Sequence, residues 1–136
     1  MKQDRSIGTS QVIARVITAI TLAAGIFFVA AGVWAFADPS SFYDNSPYPP
    51  YNRHLLHDIG AFQIGLGAVL LLSLWSRDSM AVALLGTGVG AAMHALAHNI
   101  DHAQGGETGQ TAFFWILAGV LLAAGAARYG RGPAAG

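Results

Sequence analysis

Four long stretches of this chain carry almost no charge, and that property removes most of the folds open to 136 residues. They run from Val12 to Phe36, Leu55 to Trp75, Met80 to Ile100 and Thr111 to Ala127. A bilayer core about 30 Å thick needs about 20 apolar residues of helix, and each stretch approaches or exceeds that length. Backbone groups in lipid find no water, so only helices and closed barrels span, and these stretches lack the alternation of barrel strands. The sequence predicts an all-α fold, an integral membrane four-helix bundle running up-down-up-down as one domain over 1–136. The Gly/Ala-rich tail over 130–136 is expected to be disordered.

Composition narrows the partners. Charged residues make up 10% of the chain and hydrophobic residues 54%, whereas soluble domains carry about a quarter charged residues. The net charge is zero with no basic run or stripe, which sets nucleic acid aside and leaves the lipid bilayer as the expected surroundings. The absence of cysteine excludes disulfides, thiolate catalysis and Cys-ligated zinc or iron–sulfur sites. Lys2 and Arg5 precede the first apolar stretch, which runs into the small-residue pattern Ala35-Phe36-Ala37. That stretch exceeds the core of about 7–15 residues in a signal peptide, so an uncleaved first helix is expected.

Charge asymmetry predicts the orientation. Four spans place both termini and the turn Ser76–Ser79 on one side, together with Lys2, Arg5, Arg15, Arg77, Arg128 and Arg131. The other side, with loops Asp38 to Arg53 and Ala103 to Gln110, holds only Arg53 of all the lysines and arginines. The positive-inside rule then predicts cytoplasmic termini in an inner (plasma) membrane protein and periplasmic or extracellular loops. All five histidines fall on the outer side, as do Asp38, Asp44, Asp58, Asp101 and Glu107.

The segment HALAHNIDH, ending the third span, holds His94, His98, Asp101 and His102. At about 100° per residue the three histidines drift by about 80°, so they share a face, which continues back through Gly90 and Gly86. On the second span His54 and Asp58 are one turn apart, His57 is within reach, and the line continues to Gly65. A short turn joins these two spans, so they are expected to pack as antiparallel neighbours through their glycines, bringing the outer histidines together. His54, His57, Asp58, His94, His98, Asp101 and His102 are thus the candidate ligands of a transition metal (Zn, Cu or Fe), because neutral imidazoles bind such ions and carboxylates ligate or orient the rings. Histidines at helix ends also cap, or bind headgroup phosphates. That reading suits His54 and His102 best, while His94 and His98 lie deep enough to need a partner.

Asn52 and Arg53, followed by Gly60 and then Gly65-Leu66-Gly67 after an outer loop, make the chain resemble the DoxX-like superfamily of small four-helix bacterial membrane proteins. The resemblance covers most of the chain and implies a four-helix membrane fold and, in some members, an accessory role beside oxidoreductases. His54/His57 and His94/His98 are also spaced like the histidine boxes of di-iron membrane desaturases. Those boxes are more numerous and face the cytoplasm, so no equivalence is drawn.

Three functions stay open on the sequence. The first is metal binding at the outer face, which supports redox chemistry or hydrolysis on a lipid-soluble substrate if a coordination position is open. The second is haem held by one histidine from each of the second and third spans, giving an electron-transfer subunit. The third is a non-catalytic accessory or scaffold subunit that joins a homo-oligomer or a larger membrane complex through its Gly/Ala faces.

Overall fold

The structure, a computed structural model, describes residues 3–47, 49–76, 79–101 and 108–130. Among the described residues every regular element is helical: α1 (Gln3–Ala37), α2 (Pro39–Asn45), α3 (Arg53–Ser73), α4 (Met80–Ile100) and α5 (Thr108–Tyr129). Four of them, α1 from Gly8, α3, α4 and α5 from Gly109, are long and apolar enough to cross a membrane. Their large side chains point outward: Phe62, Val82, Ile100 and Ile116 are each more than two-thirds exposed. Small ones fill much of the interior, including Ala24, Ala35, Ala83, Ala91, Ala95, Ala118 and Ala124. In water this distribution would forfeit most of the apolar burial that drives folding, whereas in lipid the outward residues are solvated and small residues let helices approach. The chain is a multi-pass membrane protein.

The span α4 begins and ends where the sequence placed it, and α3 stops at Ser73, two residues short of Trp75. The stretch from Asp38 to Arg53, expected as a loop, differs more, because α2 forms at its start. Pro39 stands at the start of that helix, where its missing N–H costs nothing. Asp38 caps it by accepting from the Ser41 backbone N–H at 3.1 Å and from Ser40 Oγ at 3.0 Å. Pro47 and Pro50 lie beyond its end. The linker Gly105-Gly106 and the tail over 131–136 lie outside the described residues.

The helices associate as two close pairs, α1 with α3 and α4 with α5, while α3 touches α4 and α1 touches α5 only sparsely. Glycines set both pairs. A Cβ on Gly60 would meet the Gly32 carbonyl oxygen at 2.7 Å, and one on Gly67 would meet the Gly25 carbonyl oxygen at 2.7 Å. As the α1 position rises by seven the α3 position falls by seven, the register of an antiparallel pair. In the second pair Gly88 faces Leu122 and Gly125 faces Leu85, again antiparallel, but here glycine takes a leucine side chain. This corrects the expectation that Gly65 packs against Gly86 and Gly90: among the described residues none of these three has a neighbour from another part of the chain within 4 Å of its Cβ position. The short turn makes α3 and α4 adjacent, but the backbone-close surfaces of each face a different helix.

Candidate functional site

His94 and His98 stand one turn apart on α4 with their Nε2 atoms 3.0 Å apart and their rings stacked at 4.8 Å. The ring of Phe114 on α5 lies 4.0 Å from that of His94 and 5.8 Å from that of His98. The Gly88–Leu122 register explains this position, since it sets Phe114 across from position 96, between the two histidines. His94 is exposed along the helix side, whereas His98 is 3% exposed and its Nδ1 has no hydrogen-bond partner among the described residues.

The geometry favours one arrangement of protons. A neutral imidazole carries a single N–H, and the 3.0 Å contact needs one donor and one acceptor. If His94 donates, His98 must carry its proton on the buried, unpartnered Nδ1. If His98 donates from Nε2, that Nδ1 is a bare lone pair, and an unsatisfied buried acceptor is tolerated better than an orphaned N–H. The pair therefore rests with the proton on His98 Nε2 and the lone pair on His94 Nε2.

The same two atoms suit a metal ion. With bonds of about 2.0–2.1 Å, two imidazole nitrogens on one ion at 90° to tetrahedral angles stand about 2.9–3.4 Å apart. The 3.0 Å separation falls inside that interval. His94 lies about 9 Å from the end of α4 at 1.5 Å per residue, so the pair is set below the helix terminus.

The other candidates lie elsewhere. His57 is half-buried and stacks on Phe36 of α1 at 4.9 Å, a consequence of the α1–α3 seam, in which Phe36 also meets Gly60. His54 and Asp58 form an exposed pair on α3, 3.5 Å apart with side chains 87% and 52% exposed, a geometry that contributes little. Asp101 ends α4, its backbone N–H bonded to the Ala97 carbonyl at 2.8 Å. His102 lies outside the described residues. No three His, Asp or Glu side chains among the described residues lie close enough to hold one metal ion. Among the described residues the cluster expected from pairing the second and third spans is not gathered, because α3 packs closely with α1 and α4 with α5.

Two residues that sequence reasoning passed over shape this region. Phe114 holds the histidine pair, and Gln110, one turn before it, donates from Nε2 to Ser46 Oγ at 3.0 Å, tying α5 to the end of α2. Neither had a signal in the sequence, since each depends on which helix α4 or α2 meets. The chain shows no match to protein-family models, to curated proteins or to solved structures.

Proposed function

We propose that this multi-pass membrane protein binds a transition-metal ion, Zn, Cu or Fe, through the Nε2 atoms of His94 and His98. The observation that carries the reading is their 3.0 Å separation on one helix, held by Phe114. Binding leaves the His94 proton on Nδ1 and moves the His98 proton from Nε2 to Nδ1, where that N–H has no acceptor among the described residues. Ligand histidines in high-affinity sites usually have such a partner, so this site binds more weakly than a structural zinc centre. Two ligands leave positions open for water or for a second copy. Gly86 and Gly90 precede His94 at four-residue intervals and have open space at their Cβ positions, a surface on which another α4 could lie close. No catalytic step is assigned.

Haem fits less well. A histidine from each of α3 and α4 would have to face the group, whereas His57 stacks on Phe36 of α1 and the His94–His98 pair lies against Phe114 of α5. The proposal keeps the up-down-up-down arrangement, the cytoplasmic termini and the outward-facing histidines, on the strength of the arginine asymmetry and the two antiparallel pairs. It also keeps the place among DoxX-like proteins, with an accessory role. Asn52 caps α3 by accepting from the Leu55 N–H at 3.1 Å, and Gly60 and Gly67 sit in the α1–α3 seam, so three residues of the resemblance have structural work to do.

Purified protein held at equilibrium by dialysis against Zn, Cu or Fe should retain stoichiometric metal above the free concentration in the dialysate. Retention should fall to background in the His94→Ala/His98→Ala variant and persist in His54→Ala. Absence of metal from the parent protein, or equal retention in the double variant, would overturn the reading.

A further inference from the structure

The opposite end of the bundle holds a cavity of about 870 Å³ whose lining changes character along its length. Gln11, Arg15 and Arg128 supply polar and cationic groups, while Leu22, Leu74 and Met80 supply apolar ones. Its origin is the length of α1. In the seam register Ser73, the last residue of α3, stands opposite Ala19, so the part of α1 before that point extends past its partner. The space beside this overhang is walled by Leu74, Met80 and, from α5, Arg128.

The shape and charge select a ligand class. Two arginines, from helices distant in sequence, line one cavity, and no acidic residue lines it among the described residues. Arginine pairs with phosphate in a bidentate way and is the usual partner of anionic headgroups at the membrane surface. From Ser10 to Leu22 the lining runs about 18 Å along α1 at 1.5 Å per residue, and the arginine of α1 lies nearer its outer end than Leu22 does. A soluble anion would use only the cationic end. An anionic lipid would use both, with its phosphate at Arg15 and Arg128 and an acyl chain running toward Leu22. The volume lies within the about 300–1,000 Å³ of small-molecule sites, enough for a headgroup and the first part of a chain.

We infer that this cavity is a binding site for one anionic phospholipid, held through its phosphate by Arg15 and Arg128 and through an acyl chain by Leu22, Leu74 and Met80. The site is separate from the histidine pair and does not depend on its metal.

The test uses the full chain in detergent, exchanged into phosphatidylglycerol or phosphatidylcholine and analysed by native mass spectrometry. The parent protein should retain one phosphatidylglycerol per chain in preference to phosphatidylcholine, and millimolar inorganic phosphate should not displace it. Arg15→Gln with Arg128→Gln should lose an order of magnitude of that preference. Because Arg128 has other interactions, Ala14→Trp, which fills the cavity and leaves both charges, provides a second variant and should also abolish retention. Equal retention of the two lipids by the parent protein, or unchanged preference in Ala14→Trp, would overturn the inference. Displacement by inorganic phosphate would reassign the site to a free anion and overturn it as well.

Discussion

Replacing Gly60 by alanine should separate α1 from α3. The new Cβ would lie 2.7 Å from the Gly32 carbonyl oxygen and 2.9 Å from the Phe36 backbone nitrogen, where ordinary contact begins at 3.4 Å. Both obstacles are backbone, so no rotamer change relieves them and the helices must part by roughly 0.5–0.7 Å. A gap of about 0.5–1 Å already forfeits a quarter to a half of the dispersion well for the atoms that line it. Overpacking of this kind costs about 1–3 kcal/mol, and the backbone clash puts Gly60→Ala near the upper end. Gly88→Ala meets Leu122 Cγ at 2.9 Å and Cδ2 at 3.0 Å, which a rotamer change can shift, and the Leu122 backbone nitrogen at 3.1 Å, a milder backbone clash than that at Gly60, so it should cost less, about 1 kcal/mol. Gly65→Ala meets nothing within 4 Å and should be neutral or gain up to about 1 kcal/mol from helix propensity. Gly32→Ala and Gly60→Ala open the same gap, so together they should cost less than their separate effects imply. Unfolding in mixed micelles with increasing dodecyl sulfate, monitored by far-UV circular dichroism, ranks the single variants and the double variant. If Gly60→Ala unfolds together with Gly65→Ala, the close-seam argument is wrong.

Two further variants examine individual side chains. His98→Leu removes a buried imidazole whose Nδ1 has no partner among the described residues; an unsatisfied buried polar atom costs about 1–3 kcal/mol, so the variant should be as stable as the parent or more so while losing metal. A stability loss above about 2 kcal/mol would mean that the His98 Nδ1 has a partner after all. Asp38→Ala removes the acceptor for the Ser41 N–H and the Ser40 hydroxyl and should weaken α2 by about 1 kcal/mol. Amide exchange should then speed up at Ser41 and Phe42 while the spans keep their protection, and Trp34, whose Nε1 donates to Ser41 Oγ at 3.2 Å, provides a fluorescence readout.

The spans were legible because length and apolarity are local properties; α4 over 80–100 needed nothing else. Pairing was not, because it depends on distant positions meeting. Gly25 and Gly32 share a seven-residue spacing with Gly60 and Gly67, and that common period was the signal to read, whereas Gly86 and Gly90 offered a tighter motif that has no neighbour among the described residues. The His94–His98 pair follows from helix geometry alone, so its spacing was readable. Its confinement by Phe114 and its separation from His54 and His57 follow from pairing and were not. The short α2 fell within a stretch expected as a loop, although Asp38-Pro39-Ser40-Ser41 carries a cap and a first-turn proline.

The division into two pairs bears on how the chain reaches its membrane. The first pair is complete once α3 has left the ribosome, and the second consists entirely of α4 and α5, so neither half must wait for the other to find its close partner. Insertion can then proceed as two successive hairpins that dock late, through the sparse α1–α5 and α3–α4 surfaces and the ring contact of Phe27 with Phe113 at 5.3 Å. Cutting the gene between the codons for Ser76 and Ser79 should give two fragments that each insert alone and recombine when made in the same cell.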